Sequence, residues 1–141
     1  MRSALRLPVA ALALSLSAGA WSTAAYADSC WDHNGSIMRL KASGNFRTFV
    51  YERPRAVLQR AGVRAGTVLF EGVKSGNSYS GTARRFSRFC PGDPLIYDVA
   101  GPVRGDQLQV TVFGTYEVHE RCVGTGRFKD DRLVFTYAYD C

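Results

Sequence analysis

Histidine is scarce in this chain: its 141 residues hold only His33 and His119. No serine stands in a G-x-S-x-G elbow, so a nucleophile–base pair has no signature here. The cysteines are four, Cys30, Cys90, Cys122 and Cys141, and none form a C-x-x-C pair, which removes the usual zinc spacing. The one remaining set of ligand types is His119, Glu117 and His33. A Glu and a His two apart on a strand read more simply as an exposed polar face, so neither a metal nor another cofactor is expected. These absences disfavour an enzyme. Lysine is also rare, with three against fifteen arginines. Arginine makes the better bidentate contacts to carboxylates and phosphates, although a GC-rich coding sequence produces the same bias.

Long apolar runs are missing except at the start. Arg2 and Arg6 precede an apolar stretch from Leu7 to Ala20, and Ala25-Tyr26-Ala27 fits the small-x-small cleavage rule. These features predict a secretory signal peptide over residues 1–27, cleaved after Ala27. The apolar stretch is shorter than the ~20 residues a spanning helix needs, so no retained anchor is expected. Residues 28–141 then form one exported domain, soluble, and periplasmic or extracellular. That part carries 16 of the 18 basic residues and all 12 acidic ones, and 16 − 12 gives a net charge of +4. A mildly basic domain favours anionic partners without requiring one.

Helical periodicity is absent too. Apolar residues alternate, and turn formers interrupt them every ~8–12 residues, which predicts an all-β domain. The runs are "SIMRLKAS", "FRTFVYER", "TVLFEGV", "SYSGTARRF", "LIYDVAG", "QLQVTVFGTYEVHER" and "RLVFTYAYDC". In the long run, Leu108, Val110, Val112, Tyr116 and Val118 share a face expected to be buried. Gln109, Thr111, Thr115, Glu117 and His119 share the exposed one, with Phe113 the exception. Leu133, Phe135, Tyr137 and Tyr139 share the inner face of the last strand. Short Gly-containing turns join neighbours antiparallel, giving a meander of seven or eight strands. Closing it, or nearly closing it, into a small barrel removes the exposed edges.

Closure also selects among the three ways of pairing four cysteines. Cys30 and Cys141 sit at the start of the first strand and the end of the last, which closure brings together. Cys90 and Cys122 each follow a strand of the same direction, two apart, so they meet on one rim. The expected disulfides are therefore Cys30–Cys141 and Cys90–Cys122. They are worth roughly 5 and 4 kcal/mol in the loop-entropy model.

Residues 53–66 make a long connection for a meander, with a helical turn expected at Ala56–Arg60. Long ordered loops on small scaffolds often bind ligands. Arg53, Arg55, Arg60 and Arg64 lie in it, while Arg84, Arg85 and Arg88 surround Phe86 and precede Phe89 and Cys90. If the loop and the strand end share a rim, these seven form a mouth for phosphate, acidic glycan or a partner's carboxylates. Neutralisation by Glu52, Glu71, Asp93 and Asp98 is the competing reading. The interleaved aromatics suggest a nucleic-acid platform, but the exported compartment argues against nucleic acid.

The stretch "SCWDHNGSIMRL" holds Asn34-Gly35, a strong hairpin signal, with Asp32 and His33 beside the turn. Trp31 is expected at one end of the barrel, against the Cys30 bridge. The pattern W-x-x-N-G-S-x-M resembles the first strand of avidin-type barrels, which implies Asn34 and Ser36 as ligand contacts. "KSGNSYSGTARR" resembles a loop of the periplasmic inhibitors of c-type lysozyme, with Lys74, Ser75, Ser78, Ser80 and Arg84 as matching types. "SCWDHNGSIMRL", "VYERPR", "GTVLFEGVKSGNSYSGTAR" and "LVFTYAYDC" together resemble small exported alphaproteobacterial domains, a likeness that implies fold and location but no activity. The expected function is a non-enzymatic binding module of the bacterial envelope, its partner a protein or an anionic ligand. An inhibitor of a secreted hydrolase such as c-type lysozyme is the alternative.

Overall fold

The computed structural model describes Asp28 to Cys141. The expected leader over residues 1–27 and its cleavage point lie outside the described residues. The described chain folds as eight antiparallel strands closed into one barrel. They are β1 (Ser29–His33), β2 (Ser36–Ser43), β3 (Phe46–Arg53), β4 (Val68–Ser75), β5 (Ser78–Arg85), β6 (Leu95–Pro102), β7 (Gln109–Glu120) and β8 (Val123–Asp140). A single helical turn, α1 (Ala56–Arg60), lies where the long connection was expected to hold one. Each strand pairs with its sequence neighbour, and β1 with β8 completes the closure.

Two-residue turns set the register at four hairpins, β1–β2, β2–β3, β4–β5 and β7–β8. Asn34 and Gly35 both have positive φ, 51° and 82°, and close β1 onto β2 with His33 opposite Ser36. At the β7–β8 turn the same positions hold Arg121 (φ 49°) and Cys122 (φ 69°). Neither residue favours this region, at roughly 1–2 kcal/mol each, and the Cys122 disulfide helps hold the turn. Midway along the β4–β5 pair, Gly72 lies opposite Gly81, and a Cβ on either would strike the other strand's backbone. The two strands therefore approach there more closely than side chains permit.

The interior is filled, not hollow. Phe49 stacks on Phe135 with ring centroids 4.0 Å apart and planes 4° apart. Trp31 meets Phe49 and Tyr137 edge-on, and Phe70 and Tyr79 complete the aromatic centre. Trp31 thus belongs to the core itself. Val63, from the long connection, is also fully buried in this cluster. The alternation read from sequence holds at Val110, Val112, Leu133 and Phe135, all buried, and fades beyond them. Leu108 precedes β7 and is exposed, as is Tyr139 near the chain end. Tyr116 and Val118 are only half-buried.

That fading has a topological cause. β6 pairs with β7 only at Val99–Gly114 and Ala100–Phe113. Beyond Gly114, β7 pairs with β8 alone, and β8 meets β1 only from Thr136 onward. Residues from Thr115 to Asp130 therefore form a hairpin arm laddered only to itself.

The disulfides are Cys30–Cys141 and Cys90–Cys122, and no cysteine among the described residues is free. Cys30–Cys141 ties the start of β1 to the residue after β8 at one end of the barrel. At the other end, Cys90–Cys122 ties the loop after β5 to the tip of the arm. Two disulfides accord with an oxidising, exported compartment. No helix among the described residues is long and apolar enough to cross a membrane.

Candidate functional site

Antiparallel order puts the β1–β2 turn, the β3–β4 connection, the β5–β6 loop and the arm at one end of the barrel. Between them lies a cavity of about 400 Å³, within the usual range of small-molecule sites. Six arginines line it: Arg55 and Arg60 from the long connection, Arg84, Arg85 and Arg88 from the end of β5 and its loop, and Arg132 from β8. The one carboxylate lining it is Asp131. Tyr51, Phe86, Val57 and Leu58 provide apolar surface, and His33, Asn34 and Tyr97 further polar atoms.

Five of the seven arginines singled out from sequence share this mouth, and two do not. Arg53 ends β3 opposite Ile37, exposed, and does not line the cavity. Arg64 donates to the carbonyls of Gln59 and Val63, at 3.0 and 3.1 Å, and so serves the end of α1. With Arg60 it borders a shallow, open recess on the outside of that turn. Sequence reading missed Arg132, because it stood only as the first residue of the run "RLVFTYAYDC", next to the charged middle of β8. It also missed His33 as part of the site, since a residue beside Asn-Gly reads as a turn flank.

Neutralisation is partial. Glu71 pairs with Arg84 at 3.0 Å, and Asp131 with Arg85 at 3.0 Å. Glu52 pairs with Arg39 instead, which also meets Asp28. Asp93 and Asp98 make no ion pair among the described residues. Arg55, Arg60, Arg88 and Arg132 likewise have no carboxylate partner among the described residues. Arg85 is further held over the Tyr116 ring, 4.0 Å from its centroid, by cation–π attraction.

Each wall is fixed by a particular contact. The Ser36 hydroxyl, fully buried, accepts the Arg55 backbone N–H at 3.0 Å and anchors the long connection at its start. Ser36 is fully buried and does not line the cavity, contrary to the ligand contact an avidin-type strand implies, while Asn34 does border it. Tyr97 donates its hydroxyl to Asp131, and burial together with this bond raises its pKa. Burial pushes Tyr51 up to about 12, opposed by Arg55. Both phenols stay neutral donors.

His33 forms part of the floor. It is 8% exposed, stacked on Phe135 at 4.7 Å, with Nδ1 2.9 Å from the Val134 carbonyl. A carbonyl only accepts, so Nδ1 carries the proton of the neutral ring. Burial lowers the pKa of His33, and the Val134 carbonyl partly offsets that effect. His119, by contrast, lies on the arm 3.9 Å from Glu117, so the imagined His33–Glu117–His119 set is not assembled. Among the described residues no three His, Cys, Asp or Glu side chains group as metal ligands.

The residues resembling a lysozyme-inhibitor loop are also divided. Lys74, Ser75 and Ser78 surround the β4–β5 turn at the far end, where Lys74 donates to Gln107 at 2.6 Å. Arg84 is at the mouth. Neither family models, nor curated proteins, nor solved structures give a match to this chain.

Proposed function

We propose that this protein is an exported, non-enzymatic binding domain of the bacterial envelope that holds an anionic group in its arginine-lined mouth. One observation carries the reading: six arginines line a single cavity whose walls supply one carboxylate. Guanidinium forks match the oxygens of phosphates and carboxylates, and Phe86, Tyr51 and Leu58 offer a surface for the ligand's body. In this reading the leader is cleaved after Ala27 and the domain works in the periplasm or outside the cell. Its ligand is an anionic envelope component or an acidic face of a partner protein.

A charge-matched pair of variants tests the site against net charge alone. Arg55→Glu and Arg53→Glu change the total charge equally, but only Arg55 lines the cavity. Retention on a phosphate-bearing resin should fall sharply for Arg55→Glu and little for Arg53→Glu. Equal loss in both would reduce the mouth to a diffuse electrostatic effect.

The hairpin arm favours one second reading, an inhibitor that reaches into a hydrolase cleft. The arm is laddered only to itself, and Arg121 and Arg127 lie at or near its tip. A lysozyme turbidity assay tests it: full lysozyme activity at excess protein would discard lysozyme as the target.

A further inference from the structure

The donors around the mouth outnumber its acceptors. Arginine side chains, the Asn34 amide and the Tyr51 hydroxyl can all donate, and the Asp131 carboxylate is already engaged by Arg85 and Tyr97. His33 is the exception. Its Nδ1 is committed to Val134, and among the described residues its other ring nitrogen has no partner. No buried side-chain nitrogen or oxygen is left unbonded among the described residues, so that Nε2 is open to the cavity it borders. In the neutral ring Nε2 bears a lone pair. A fully deprotonated oxyanion set against it would meet two acceptors facing each other.

Resting on the anion-binding reading, we infer that the bound oxyanion shares a proton with His33 Nε2, so that the mouth is built for a phosphate or phosphate monoester rather than a sulfate. A phosphate monoanion supplies that proton from its own P–OH, which donates to Nε2 while its other oxygens accept from the arginines. No covalent bond forms or breaks. A sulfate brings no proton, so Nε2 must first take one from solvent.

The surroundings of the ring set the cost of that step. Asp32 on β1 and Asp131 on β8 favour protonation, while Arg55 after β3 opposes it, and burial opposes it most. Tyr51 on β3 and Tyr97 on β6 remain neutral, and the other five arginines of the mouth add only positive charge. Sulfate should therefore bind more weakly than phosphate near neutral pH, by about tenfold for each pH unit above the folded pKa of His33. The gap should narrow as acid protonates the ring.

Calorimetry on the oxidised protein, with sodium phosphate and sodium sulfate in two buffers of different ionisation heat, reads both quantities. The expected result near neutral pH is tighter phosphate binding, with sulfate taking up close to one proton and phosphate less. His33→Phe should erase the preference and the proton uptake together. Sulfate that binds the unaltered protein as well as phosphate does, with no proton uptake, would overturn the shared proton and leave the anion mouth standing. No binding of either anion at any pH would overturn the mouth as well. The uptake measurement needs no variant, so a His33→Phe protein that fails to fold does not block the test.

Discussion

Removing the Cys90–Cys122 disulfide should loosen one wall of the mouth and cost most of what that bridge contributes. The bridge spans 32 residues, which loop entropy makes worth about 4 kcal/mol. Few other bonds hold the Ser87–Pro94 segment to the barrel. The hydrogen bonds of Cys90 to Ser87, Asp93 to Cys90 and Phe89 to Ser87 all stay inside the loop. Phe86, at its root, packs edge-on against Tyr51 with centroids 6.0 Å apart. Cys90→Ala with Cys122→Ala should therefore lower unfolding stability by about 3–4 kcal/mol in urea. The left-handed backbone at position 122 supplies an internal control. Cys90→Ala with Cys122→Gly should regain about 0.5–1 kcal/mol, because glycine removes the strain but loosens the unfolded chain. A double variant within 1 kcal/mol of the parent would refute the reasoning, showing that the loop is closed by other contacts. So would a glycine variant less stable than the alanine one.

Two further perturbations probe the frame. Burial lowers the pKa of His33 from its ordinary 6.5, so the folded state resists a proton that the unfolded chain accepts. Stability should be complete above pH 6.5 and decline as pH falls from there toward the folded value. Urea midpoints across that window should show the decline, His33→Phe should flatten it, and a flat profile in the parent would contradict the burial argument. Gly81→Val places side-chain atoms against the β4 backbone opposite Gly72, so the pair must separate. The thermal midpoint should drop by an amount corresponding to about 1–3 kcal/mol or more, and an unchanged midpoint would mean the close approach is dispensable.

How much was legible differs between the barrel and its mouth. Strands β2 and β3 match the runs "SIMRLKAS" and "FRTFVYER" in full, because alternation and Gly-Asn punctuation agree there. The cysteine pairing followed from closure, which needs only strand count and direction. The first half of β8 was not legible. Gly124, Gly126 and the charged Lys129-Asp130-Asp131 break the period, since this half of β8 is almost wholly exposed. The Arg121-Cys122 turn was hidden for a related reason: its positive φ values rest on neither Asn nor Gly. Within the mouth, sequence placed Arg55, Arg60, Arg84, Arg85 and Arg88 on a shared rim by topology alone. Separating them from Arg53 and Arg64 required the direction of the chain after β3, which buried Pro54 and the Ser36–Arg55 bond redirect. Asp131 and Arg132 entered only through the register of β8 against β7, opposite Gly114 and Phe113, which no local pattern encodes.

The account stands on the claim that an anion seats in the mouth beside α1. An amide NMR titration of the oxidised protein with sodium phosphate tests that claim most directly. Shifts should concentrate at His33 and Asn34, Arg55–Ala61, Arg84–Arg88 and Asp131–Leu133, and should saturate together. Shifts scattered over the surface, or centred on Arg47 and Lys74 at the opposite end of the barrel, would contradict it.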